Sequence, residues 1–150
     1  MSPSGKVHFH WWKKMRVLAV AIGVAASLFY WSLGLGIVLG YLLGRYLDPD
    51  LDLPQTSSSE FRAMRELKLF GALLVAYWLP YGFVIPHRHF LSHSPILSTM
   101  IRFSYQFWWA WVLLDKYGYM WNSAMLYAWL GMFIGMAMSD SVHIWLDYRR

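Results

Sequence analysis

Three stretches of this chain gather the residue types that hold metals and move protons. The first is Pro86-His87-Arg88-His89-Phe90-Leu91-Ser92-His93-Ser94-Pro95, with half of the six histidines between two prolines. His87 and His93, six residues apart around a turn, can converge on one ion from a loop and a helix start. His89 is the doubtful member, because alternate residues of an extended chain face opposite sides. The second stretch is Asp48-Pro49-Asp50-Leu51-Asp52-Leu53-Pro54, where an extended backbone aims Asp50 and Asp52 the same way. That pattern suits a hard or borderline cation, one ligand plus one general base, or simply a solvated acidic loop. The third runs from Asp140 to Asp147. His143 and Asp147 are spaced i, i+4, and Asp140 is three residues before His143, so all three share a helical face. Such a pair can bind one metal, or the carboxylate can orient the imidazole. A His and an Asp solvated at a helix end are the plainer alternative.

The chain contains no cysteine, which excludes a disulfide framework and a thiolate site. Imidazole and carboxylate ligands suit a divalent Zn, Mn or Fe ion.

The elements that must position these residues are apolar. Hydrophobic residues make up 58% of the 150 and charged residues 14%, against about 25% charged in an ordinary soluble domain. The apolar residues fall in long runs, as in an integral membrane protein. The 10 Trp and 10 Tyr suit the membrane interface. The net charge is +5, but the basic residues flank apolar runs. They are expected to set topology and meet anionic lipid, and no motif for nucleic acid is present.

The expected fold is all-α: a single membrane domain over residues 1–150, with about four transmembrane helices in two hairpins and a kinked interfacial or re-entrant segment. Residues 1–14 read as a polar-aromatic opening. Residues 15–47 are too long for one span, about 50 Å as a helix against about 30 Å of hydrocarbon. They divide into helices near 15–31 and 34–47. Gly36, Gly40 and Gly44 at i+4 spacing let another helix backbone approach closely, and offer a surface to a membrane-protein partner or a second copy. Residues 48–68 form a polar loop and helix start, with Ser57 and Glu60 as a capping box and a helix that turns apolar at Leu69. Residues 69–86 are apolar but broken at Pro80 and Gly82. After the histidine motif at 87–94, residues 95–148 form the second hairpin, starting on a Ser94 cap and turning at 115–118. Gly131, Gly135 and Ser139 make a second small-residue register that continues to His143 and Asp147. If the first hairpin crosses twice and 69–85 does not cross, the N-terminus, 48–68, 87–95 and 140–150 share one face. The positive-inside bias makes that face, with both termini, cytoplasmic.

In this order the motifs resemble a family of uncharacterised bacterial metal-binding membrane proteins and, more distantly, inner-membrane-associated metal-dependent hydrolases. The matching residues are Pro3-Ser4-Gly5 with His8; Pro49-Asp50-Leu51-Asp52; Trp78, Pro80 and Tyr81 before His87-Arg88; Leu91-Ser92-His93 with Pro95; and His143 with Asp147. The chain departs from the pattern at Phe9, Asp48 and Ser94. The resemblance implies His8, Asp50, His87, His93, His143 and Asp147 as metal ligands, and a bacterial inner membrane as the location.

If the protein is an enzyme, the expected chemistry is metal-dependent hydrolysis of a phosphoester or amide near the bilayer. Asp52 would be the general base. Arg88 would hold a phosphate or carboxylate, unless it sets topology or pairs with Asp50. The rival expectation is a non-enzymatic subunit of a larger membrane complex, with a structural metal or with haem or chlorophyll ligated by His.

Overall fold

The computed structural model describes residues 3–47, 58–85, 94, 96–118 and 122–148. Among them the chain is helical throughout, with six helices: α1 Pro3–Ser27, α2 Trp31–Leu43, α3 Ser58–Leu67, α4 Leu69–Val84, α5 Leu97–Lys116 and α6 Ser123–Tyr148. One of these, over Ser123–Leu146, is long and apolar enough to cross a membrane. Helices α2 and α4 are apolar but shorter.

The first two helices form a hairpin whose turn lies at Leu28–Tyr30, earlier than the expected break at 31–34. The Leu28 and Phe29 N–H groups donate to the Ala25 and Ala26 carbonyls at 3.2 and 3.1 Å, so the turn closes on its own backbone without Gly or Pro. The polar opening is not separate: α1 is continuous from Pro3. Its early aromatic residues pack instead of fraying. Trp12 stacks on Tyr41 at 5.4 Å, and the Tyr41 hydroxyl donates to the Trp12 carbonyl at 2.8 Å.

Helix α2 lies against α6 through small residues contributed by both. A methyl group on Gly36 would collide with the Ala128 carbonyl, and one on Gly40 with that of Met132. From the other side, methyls on Gly131 and Gly135 would strike the Leu33 and Ile37 carbonyls. The two i+4 registers therefore face each other within one chain, and the stripe at Gly36, Gly40 and Gly44 is covered by α6.

Between α3 and α4 a single residue makes the bend. Lys68 sits at φ 51°, a left-handed conformation that costs a side-chain-bearing residue about 1–2 kcal/mol. The continuous helix expected across Leu69 is thus two helices that pack on each other, with Gly71 against the Ala63 carbonyl. Pro80 lies inside α4, where it removes one backbone donor without ending the helix.

Helices α4 and α5 are stitched by a reciprocal pair: the Tyr77 hydroxyl donates to the Tyr105 carbonyl at 2.5 Å and the Tyr105 hydroxyl to the Tyr77 carbonyl at 2.7 Å. Leu47, Trp78, Tyr81, Ile85, Phe103 and Met136 form the core between α4, α5, α6 and the end of the first hairpin. On α5, Trp111 packs edge-on to Trp129 at 6.0 Å, while Trp108 and Trp109 are exposed. Helix α5 starts at Leu97 rather than at 95, though the Ser98 N–H donates to the Ser94 carbonyl at 3.0 Å.

Candidate metal centre

The polar end of the bundle is built on Asp140. Its helix, α6, is apolar for most of its length, so a carboxylate there is buried, and its burial is costly unless the fold compensates it. The compensation comes from α5: Arg102 Nη2 donates to Asp140 Oδ2, and Thr99 Oγ1 donates to the same oxygen at 2.5 Å. Both ions are almost completely buried, Arg102 at 1% and Asp140 at 0% exposure. Arg102 also donates through Nη1 to the Leu47 carbonyl at 2.6 Å. One guanidinium therefore fastens the end of the first hairpin, α5 and α6 at a single point.

That point is where the chain enters the two motif stretches. Leu47 immediately precedes Asp48, and Ile85, in the same core, immediately precedes Pro86. Ser94, in the last part of the histidine motif, is hydrogen-bonded to the first turn of α5 next to Thr99. His143 follows Asp140 by three residues, is buried at 8% exposure and lies within electrostatic reach of it.

A second polar layer ties α2 and α3 to α1. Arg45 donates to Glu66 Oε1 at 2.7 Å and Tyr46 to Glu66 Oε2 at 3.0 Å. Arg62 donates to the Arg45 carbonyl at 2.9 Å, and the Arg45 guanidinium lies 5.0 and 5.6 Å from the Phe9 and Trp12 ring centres. Helix α1 is thereby held at the same end, with His8 one residue before Phe9.

Of the residues expected to carry the chemistry, only His143 is described with its side chain. His8 and Asp147 are described as helical backbone, on α1 and α6, with their side chains outside the description. Asp50, Asp52, His87, Arg88, His89 and His93 lie outside the described residues. The sequence reading did not single out Arg102, Thr99 or Ser98. An arginine inside an apolar helix is itself a signal of a partner or a site, and that signal would have found it.

The donors present suit a divalent ion. His143 supplies imidazole, and Asp140 Oδ1 is a fully buried carboxylate oxygen with no hydrogen-bond partner among the described residues. Asp140 Oδ2 is committed to Arg102 and Thr99, so Oδ1 is the oxygen left for an ion. Among the described residues no group of three His, Cys, Asp or Glu gathers. A complete ligand set needs the motif residues outside them.

An all-helical bundle with a buried Arg–Asp pair and a histidine at the end where its polar loops attach is the class defined so far. Within that class, the chain belongs to a family of uncharacterized metal-binding proteins, DUF2227, which matches residues 3–150. No curated protein and no solved structure matches it.

Proposed function

We propose that this protein is a membrane-embedded metal-binding protein whose ion sits at the cytoplasmic end of the bundle, held by His143 together with His8, Asp50, His87, His93 and Asp147. The observation that carries the reading is the Leu47–Arg102–Asp140 connection. It ties Leu47, which precedes the acidic stretch, to Asp140, three residues before His143; Ile85, which precedes the histidine stretch, shares the Leu47 core, and the family is one of metal-binding proteins. Membrane embedding is supported by α6 and by large apolar side chains left exposed elsewhere, among them Val17 and Val24 on α1, Leu28 and Phe29 in the turn that follows it, and Val112 and Leu113 on α5. The proposed arrangement is two hairpins, α1–α2 and α5–α6, with α4 interfacial.

As an enzyme, it is a metal-dependent hydrolase of a phosphoester or amide near the bilayer. A bound Zn, Mn or Fe ion would supply Lewis acidity. Asp52 takes the proton from the attacking water, and Arg88 holds the anionic group of the substrate.

The test is elemental analysis of the detergent-purified chain beside His143→Ala and His93→Ala. About one or two equivalents of metal are expected in the wild type, lost from both variants. A metal-free wild type, or variants that bind equally well, sinks the site. Asp52→Asn should keep the metal and lose turnover. Unchanged turnover removes Asp52 from the mechanism.

A further inference from the structure

A groove of about 710 Å³ runs along the outside of α6, between it, the first half of α1 and Ile96 just before α5. Met15, Ile134, Ala137, Met138 and Val142 line it, with Trp11 and Trp145 at one end. Among the described residues that line it, Ser141 is the only one bearing a hydroxyl, which donates to the Ala137 carbonyl of its own helix at 2.7 Å. The walls therefore have little with which to recognise a polar ligand, and whatever fills them is hydrocarbon.

The two ends differ. The end at Phe133 is wholly apolar. At the other, Trp11 and Trp145 meet edge to face at 5.8 Å, and the exposed Lys14 places its ammonium 5.2 Å from the Trp11 ring centre. From Phe133 to Trp145 the groove follows about 18 Å of helix, close to the roughly 15 Å depth of one leaflet. An apolar slot of leaflet length with an aromatic pair and a cation at its mouth is complementary to an amphiphile with an anionic head.

We infer that this groove binds one acyl chain of an anionic phospholipid, with the headgroup phosphate at Lys14. The inference rests on the membrane reading above. The Trp11–Trp145 mouth is at the same end as His143, two residues before Trp145, so a lipid seated here presents its phosphate on the side of the proposed metal centre.

The experiment reconstitutes the full chain in vesicles of equal parts phosphatidylglycerol and phosphatidylcholine, extracts it into mild detergent and identifies the retained lipid by mass spectrometry. Wild type should retain phosphatidylglycerol by about fivefold over phosphatidylcholine, the preference one lysine gives at an anionic headgroup. Lys14→Gln should retain lipid and lose the preference. Ala137→Trp, and separately Val142→Trp, fill the slot and should abolish retention with helicity unchanged by circular dichroism. Wild type without bound lipid, or groove-filled variants that retain as much as wild type, overturns the proposal. Metal measured on the same preparations separates the two readings: Ala137→Trp should lose lipid and keep metal. A chain that stays in aqueous buffer without detergent overturns the groove and the membrane reading together.

Discussion

The two halves of α6 are held by opposite means. From Ala128 to Gly135 the helix touches α2 through backbone, with glycines on each side leaving room for the other's carbonyls. No charge is involved, and the contact gains its strength from closeness. Five residues further on, the same helix is held through a charged side chain. Asp140 has no small-residue partner and is fixed by an arginine 38 residues away in sequence. The apolar seam sets how close the helices lie. The polar end sets where the chain's loops attach, and it is buried where errors are least tolerated. One helix thus supplies both a spacing device and an anchor, and a site at its end inherits its precision from the anchor.

The sharpest way to break this contrast is to remove one charge of the anchor. Arg102→Met or Asp140→Leu alone leaves a buried ion without its partner and should cost about 3–5 kcal/mol, read by chemical unfolding in micelles. The double variant replaces both ions with apolar groups and should recover much of that loss. Single variants that cost less than about 1 kcal/mol would mean that the polar end is wet and that the pair does not anchor α6.

The seam should give smaller effects. Alanine at Gly40 or Gly135 pushes a methyl into a facing carbonyl and forces the helices apart, at about 1–3 kcal/mol. Gly118 is the control: it lies at φ 74° with open space around it, so alanine there meets only the left-handed backbone penalty of about 1–2 kcal/mol. Equal losses at all three sites with α2 and α6 still packed at their original distance would show that the seam tolerates side chains and is not a spacing device.

These two regions were not equally legible in the sequence. The seam is periodic, and Gly36, Gly40 and Gly44, with Gly131, Gly135 and Ser139, announce it by spacing alone. Which surface each register meets is a separate question, and the structure pairs the registers with each other. The anchor has no period. Arg102 and Asp140 come from different helices, and neither has a local feature that names the other. The Lys68 bend is illegible for a related reason: nothing between Leu67 and Leu69 breaks a helix, and α3 turns because Gly71 can pack on Ala63. At the candidate metal centre, the types and spacing of His143 and Asp140 on one face were readable. That Asp140 is occupied by Arg102 and Thr99 was not, because this depends on how α5 meets α6.

Glu66 offers the polar end in its weakest form. Its carboxylate joins Arg45 and Tyr46 at the partly exposed edge of the same end of the bundle, where an ion pair contributes at most about 1 kcal/mol. Its effect is better seen in a proton than in stability. Partial burial, and then the hydrogen bond to Glu66, push the Tyr46 phenol above its ordinary value, against the opposing charge of Arg45. A phenol with a raised folded value favours folding in its neutral form. Its contribution is present below the ordinary range near pH 10 and is lost as pH rises through the folded value. Glu66→Gln removes the carboxylate charge and leaves the cation of Arg45 uncompensated, and both changes act downward. Difference titration against Tyr46→Phe should therefore show the Tyr46 midpoint falling in Glu66→Gln, with little change in unfolding. An unmoved midpoint would mean that Glu66 does not hold Tyr46, and that α3 is tied to this end of the bundle through Arg45 and Arg62 alone.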